Sequence, residues 1–440
     1  MDKRELAKII GEIDKENEIF SDKSSLDSLS YVPSKLIGRQ KEVKNLLRYL
    51  LGYKKGHVVP LISVYGRSGS GKSTLVKYVC ESLPEMHLCF VNLREAKTVF
   101  NAANLILSEL GDPNLKSAQG TSMALQRIAN GIESALGKKK KSLFVLALDE
   151  FDAIFGDTRG NPSDFVYKLV ELQAALRKKH LMSCIVTISN NVLSDYNLDD
   201  RVRSRIGTSD VFFEPYSQDD VLQILVQRSK KAFAIKIDPA VLQYCAARSY
   251  LEHGDARRAI DLLRVAAELA SSENKTVSTQ HVDSASEQLQ KDRVGEVLSS
   301  ASYHFKLACL ALAMKTFGLE QEWHTTHKLH KKYCDLVQKG TKPVSHRRFS
   351  EILRELENTG LVTSQTGSQG RKGYSSQFRL VMPPEIVGQA CFPDYWKKVE
   401  EKKRARQKLE HSIRSTPKSS MFRGLDNLTK TLLEKDPFFD

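Results

Sequence analysis

Between residues 31 and 216, short apolar runs alternate with segments of helical periodicity. The runs are Val58–Tyr65, His87–Asn92, Ser142–Leu148 and Cys184–Ser189, and helices are predicted over Leu75–Ser82, Ala102–Leu110 and Ser122–Leu136. Apolar strands separated by helices predict a parallel sheet covered on both faces, because such a sheet shows no polar side to water. From 217 to 293 the strand signal stops. Consecutive helices are predicted there over Asp219–Ala232, Pro239–Ser249 and Ala256–Ser271, with a last one starting after a cap at Ser278. Residues 294–385 read as helices followed by a short β-ribbon. Residues 1–30 read as a charged helix and a polar linker, and 386–440 as a basic tail, helical or partly disordered.

Composition narrows the classes. The longest apolar run, Leu307–Met314, is far short of the roughly 20 residues a membrane-spanning helix needs. The first twenty residues are charged throughout, with no apolar core of a signal peptide, so neither membrane insertion nor secretion is expected. Seven cysteines are scattered without a C-x-x-C pair, which points to buried thiols in a reducing compartment. The net charge of +14 favours an acidic partner, nucleic acid first.

The strongest motif is Gly66-Arg67-Ser68-Gly69-Ser70-Gly71-Lys72-Ser73, a full G-x-x-x-x-G-K-[ST] followed by Thr74. An apolar strand precedes it and a helix follows. In that setting the glycines let backbone N–H groups close on phosphates at a helix N-terminus. Lys72 supplies charge to the β- and γ-phosphates, and the Ser73 hydroxyl is placed to hold Mg²⁺. A second apolar strand ends in Asp149-Glu150. Asp149 suits Mg²⁺, and Glu150 suits orientation and activation of an attacking water. A third strand ends in Asn190-Asn191, where an amide is placed to bond that water or the γ-phosphate; the same pair is also an ordinary turn signal.

P-loop, Asp-Glu strand and strand-end Asn in this order resemble the AAA+ ATPases. Tyr31–Arg39 (Y-V-P-x-x-L-I-G-R), Leu198–Ile206 (L-D-D-R-V-R-S-R-I), Val211–Tyr216 (V-F-F-E-P-Y) and Gly254–Arg264 (G-D-A-R-R-A-I-D-L-L-R) narrow the resemblance. Together they look like the replication initiators related to the origin recognition complex and the cell-division-cycle helicase-loading factor, in the compact archaeal form. The resemblance implies an α/β P-loop AAA+ base (31–216), a helical lid (217–293) and a C-terminal winged helix (294–385). It gives Asn190 the role of sensor 1 and Arg257 that of sensor 2. It makes Arg205, or else Arg201, the arginine finger offered to a neighbouring subunit. It puts Leu36, Ile37 and Arg39 near the adenine and Tyr216 at the nucleotide site. ATP or ADP with Mg²⁺ are the implied cofactors. Origin duplex DNA, the replicative helicase and related initiator subunits are the implied partners. The implied location is the archaeal cytoplasm or nucleoid, or the nucleus in a eukaryote. Asn191 departs from the family, which often has Asp there; slow hydrolysis is expected.

Half of the excess charge lies in residues 301–380, with 13 Lys/Arg against 6 Asp/Glu. Within them Ser345 is a plausible cap for a helix whose Phe349, Ile352, Leu353 and Leu356 share one face. His346, Arg347 and Arg348 then occupy its first turn, the part of a recognition helix that meets bases and phosphates. Asn358-Thr-Gly360 stops the helix. Two short strands joined by a basic glycine-rich turn then form a wing, with Arg371, Lys372 and Tyr374 at its tip. The same two modules also suit an ATP-switched winged-helix transcription regulator, which leaves the G-D-A-R and D-R-V-R-S-R segments without a purpose. His324, His327 and His330 have no spacing established for metal binding.

Overall fold

The computed structural model describes residues 5, 19–27, 31–57, 59, 61–137, 142–196, 198–206, 209–251, 255–318, 323–338, 340–368 and 374–415. The chain divides into two compact units, Met1–Ala285 and Ser286–Asp440.

In the first unit five strands form one sheet: Leu61–Gly66 (β1), Met86–Asn92 (β2), Leu143–Asp149 (β3), Met182–Ser189 (β4) and Asp210–Phe213 (β5). Their order is β2-β3-β4-β1-β5 and every pairing is parallel. β3 and β4 are buried almost throughout, as continuous apolar runs require. Helices Gln40–Leu50 (α1), Lys72–Glu81 (α2), Val99–Glu109 (α3), Gly120–Leu136 (α4), Pro162–Lys178 (α5) and Asp200–Ile206 (α6) complete this base. The four strands and three helices predicted from the periodicity are present, with ends shifted by a few residues. β5 has no counterpart among the apolar runs. It is a four-residue edge strand on which buried and exposed positions alternate.

The lid consists of Gln218–Ala232 (α7), Pro239–Leu251 (α8), Ala256–Ser272 (α9) and the start of Thr279–Ser299 (α10). At the start of α10 the backbone N–H of Ser278 donates to His281 Nδ1 at 3.0 Å, one half of a capping box. The stretch read as a polar linker is not free. Lys23–Leu26 form a 3₁₀ turn capped by Asp22, and Leu26 is fully buried. Arg228 of α7 donates to the Ser25 carbonyl at 2.8 Å, and Phe20 stacks on Phe233 at 5.3 Å. Leu26, the Arg228 hydrogen bond and the Phe20–Phe233 stack together dock the segment.

The second unit holds Tyr303–Gly318 (α11), His324–Thr325 (β6), Thr326–Leu336 (α12), His346–Asn358 (α13), Val362–Ser368 (β7), Tyr374–Leu380 (β8), Pro384–Cys391 (α14) and Pro393–Ser415 (α15). Its three-stranded sheet has the order β6-β8-β7 and is antiparallel. Phe349, Ile352, Leu353 and Leu356 of α13 are buried, as their spacing predicts, and each contributes roughly 1.5–3 kcal/mol. Residues past 385 do not simply open a solvated tail. Val387, Cys391, Trp396 and Val399 are buried in the same core, and Lys403 Nζ donates to the Phe317 carbonyl at 2.8 Å. Residues 416–440 lie outside the described residues.

Candidate nucleotide site and nucleic-acid interface

Sheet order assembles the first site. β4 lies between β3 and β1, so Asn190 at its end stands between Asp149 and the loop that follows β1. Ligands bind at the carboxyl ends of such strands, where the connections diverge to opposite sides. Gly69 and Gly71 of the loop have φ of 71° and 87°, values that side chains disfavour. A Cβ added at Gly69 would collide with the Asp255 carboxylate, and one at Gly71 with the Tyr216 hydroxyl. Both glycines are therefore demanded by close approach as well as by the turn.

Lys72 is only 8% exposed. Its ammonium donates to the carbonyls of Gly66 at 2.7 Å and Arg67 at 2.9 Å, and lies 3.5 Å from Asn190 Oδ1. Burial lowers its pKa, while the charges of Asp149, Glu150 and Asp152 oppose that shift. Ser73 Oγ donates to Asp149 Oδ2 at 2.8 Å. Burial raises the Asp149 carboxyl, and the Ser73 hydrogen bond partly offsets this. Glu150 is also raised, first by burial and then by the neighbouring charges of Asp149 and Asp152. Its backbone is left-handed, φ 52°, a strained setting for a residue with a side chain, and such settings cluster at functional sites.

These groups line one cavity. Ser68, Gly69, Gly71, Lys72, Ser73 and Thr74 form its floor, with Asp149, Glu150 and Asn190 to one side. Leu36, Ile37 and Tyr216 line it too, and Arg257 enters from the lid. Gly66, Arg67 and Ser70 hold the loop from outside the lining. Arg257 is positioned by a specific contact. The Asp255 side chain caps α9, accepting from the N–H groups of Arg257 at 2.9 Å and Arg258 at 3.2 Å, while Ala256 N–H donates to the Gly69 carbonyl at 3.3 Å. The lid helix thus begins on the P-loop itself.

Some expectations land elsewhere. Arg39 does not line the cavity; it reaches behind the P-loop. Arg201, on α6, is surface-exposed, 3.5 Å from Asp199, and away from the cavity of its own chain. The Arg205 side chain lies outside the described residues. Among the lining residues that escaped the sequence reading are Gln227 and Arg228 of the lid, whose helix carries no motif that marks them. Asp152 was missed as well, although the carboxylate three residues after Asp149 was visible. Asn190 Nδ2 donates to Asp152 Oδ2 at 3.4 Å.

The second candidate site is the first turn of α13. Ser345 caps the helix, accepting from the Arg348 N–H at 3.3 Å. His346 is exposed, with its ring 5.2 Å from that of His330. The two arginines differ. The Arg347 side chain is 92% exposed and 3.5 Å from Glu351. Arg348 is 51% exposed and bonds Glu351 at 3.1 Å and Glu355 at 2.9 Å on its own helix. The two wing strands pair from Val362 with Leu380 to Ser368 with Tyr374. Arg371, Lys372 and the Tyr374 side chain lie outside the described residues. If α13 meets a duplex, Arg347→Ala is expected to weaken binding and to reduce the slope of log affinity against log salt by about one. Arg348→Ala should change both less, because its charge is already engaged. Binding at several salt concentrations checks this, and an unchanged slope for Arg347→Ala removes that residue from the interface.

A parallel-sheet P-loop base with a helical lid on its phosphate loop, joined in one chain to a winged helix, defines the architecture of an AAA+ ATPase. Family profiles match in the same order: "AAA ATPase domain" over residues 35–185, "Cdc6 AAA+ ATPase-type lid domain" over 222–287 and "CDC6, C terminal winged helix domain" over 296–390. An ORC1-type DNA replication protein 1 of Sulfurisphaera tokodaii is 30% identical over 367 residues, covering 81% of this chain and 89% of that one. An ORC1-type DNA replication protein of Thermococcus kodakarensis is 29% identical, covering 84% and 90%. The solved structure of the Aeropyrum pernix ORC1 protein in complex with DNA is 28% identical, with a TM-score of 0.71, covering 87% of this chain and 98% of that one. The chain belongs to the archaeal ORC1/Cdc6 family of DNA replication initiators. The transcription-regulator alternative is not favoured, since lid and winged helix both match the replication family. Among the described residues no helix is long and apolar enough to cross a membrane.

Proposed function

We propose that this initiator binds origin duplex DNA through its ATPase base and winged helix, under the control of ATP, and helps to recruit or load the replicative helicase. The observation that carries the reading is a P-loop cavity closed by a lid arginine, Arg257, in the same chain as a winged helix with an exposed arginine, Arg347, in its first turn. That a 28% identical relative was solved in complex with DNA supports the duplex as ligand. Related initiator subunits and the helicase are the protein partners, and the cytoplasm or nucleoid is the place of action.

In this reading the N–H groups of the P-loop and Lys72 hold the phosphates of ATP. Thr74 stands beside them, and Leu36, Ile37 and Tyr216 border the base. Arg257 reaches the γ-phosphate from the lid. Glu150 takes a proton from the attacking water, and its raised pKa suits that task. Asn190 orients the water. Arg205 or Arg201 completes the site of an adjacent subunit, and the exposure of Arg201 suits a contact made in trans. The Ser73 hydroxyl and the Asp149 carboxylate, 2.8 Å apart and both hard oxygen donors, fit Mg²⁺. Held by Ser73 and Asp149, it would supply positive charge against the charge that builds on the phosphates. Hydrolysis changes what the lid touches, and with it the surface offered to DNA or helicase.

Mapping the protein across its own genome tests the reading. One or a few sites coinciding with replication start points are expected. Many promoter sites and no start point would contradict it.

A further inference from the structure

Arg39, the residue before α1, is only 4% exposed, and its guanidinium joins segments far apart in sequence. Nε donates to the carbonyl of Ser70 in the P-loop at 3.1 Å. One terminal nitrogen bonds Glu42 at 3.1 Å, and the other donates to the Glu214 carbonyl at 2.8 Å. The guanidinium carbon lies 3.8 Å from the centre of the Tyr216 ring. Glu214 and Tyr216 belong to the short link between β5 and α7, the hinge between base and lid. Gly71 and Tyr216 line the nucleotide cavity and Arg39 does not.

The peptide between Ser70 and Gly71 is planar, with its carbonyl and N–H pointing in opposite directions. Arg39 holds the carbonyl on the side away from the cavity. The Gly71 N–H, on the opposite side of that peptide, is thereby left to the cavity that Gly71 lines, where a phosphate oxygen would accept it. The Tyr216 hydroxyl, pressed against Gly71, limits how far the loop can relax.

We propose that Arg39 is a positioning residue for the nucleotide, setting the P-loop amides for phosphate and tying that setting to the lid hinge through one rigid guanidinium. Only arginine offers a planar fork of five donors for two carbonyls and a carboxylate at once; lysine keeps the charge and loses the fork. The inference rests on the nucleotide site proposed above.

The test uses the full chain as wild type, Arg39→Ala, Arg39→Lys and Lys72→Ala. ATP affinity is measured by calorimetry. Hydrogen exchange over residues 214–221 is followed without ATP and at saturating ATP. Both Arg39 variants are expected to bind ATP about 10- to 100-fold more weakly. At saturation, Arg39→Lys should lack the ATP-induced protection of 214–221 that the wild type shows, a readout that a mere loss of stability would not produce. If Arg39→Ala does not fold, Arg39→Lys decides. An affinity for Arg39→Lys within about twofold of wild type overturns the inference, as does full protection of the hinge in that variant. If Lys72→Ala binds as well as wild type, the nucleotide site itself is wrong and this inference falls with it.

Discussion

Lys72→Ala is expected to abolish measurable ATP binding. The charges of three carboxylates, Asp149, Glu150 and Asp152, act on the Lys72 ammonium. Asp149 and Glu150 line the cavity, as do Lys35, Lys72, Arg228 and Arg257. Removing Lys72 does two things at once. It deletes charge-assisted hydrogen bonds to the β- and γ-phosphates, each contributing about 1.5–3 kcal/mol. It also leaves the Asp149, Glu150 and Asp152 carboxylates without the ammonium on which they act, so they repel an anionic ligand in surroundings where burial weakens screening. A loss of at least about 100-fold in affinity follows, the equivalent of about 2.7 kcal/mol. Calorimetric titration with ATP checks this, and near-normal affinity would contradict the assignment of the loop.

The second large effect is on turnover. Glu150→Gln keeps the shape of the side chain and removes the base. ATP binding should persist while phosphate release falls by about 10²- to 10⁴-fold. The direction of the Glu150 shift adds a pH signature. The carboxyl is pushed up by burial and by Asp149 and Asp152, so it gains its proton at a higher pH than an exposed glutamate does. The base works only when ionised. Wild-type hydrolysis should therefore decline on acidification earlier than an unshifted glutamate would allow. An unchanged rate in Glu150→Gln would make the chain a nucleotide-binding subunit without this base.

Much of the nucleotide site was legible in the sequence because its parts are local. The P-loop is eight consecutive residues, and Asp149-Glu150 ends an apolar run that only a buried strand explains. The core face of α13 was legible for the same reason, since helical spacing alone brings Phe349, Ile352, Leu353 and Leu356 together. What escaped depends on contacts between distant segments. The resemblance put Arg39 near the base of the nucleotide, whereas its long side chain reaches Ser70 and Glu214. β5 escaped because an edge strand buries alternate residues and Phe212 stays exposed. Leu26 escaped because it stands among serines and charges, and Trp396 because the lysines and glutamates that follow it dominate the composition of the segment. Asp152 carried a signal in its spacing from Asp149, but its partner Asn190 sits at the end of another strand.

In the proposed function, the nucleotide held by the first unit governs the grip of the whole chain on origin DNA. The direct measurement is the affinity of the purified full chain for an origin duplex, and for a scrambled duplex of equal length, with ATP, with ADP and with neither. Tighter binding to the origin than to the scrambled duplex is expected, with an origin affinity that changes between ATP and ADP. An origin affinity that is the same in all three conditions, or that equals the affinity for the scrambled duplex, would overturn the proposed function.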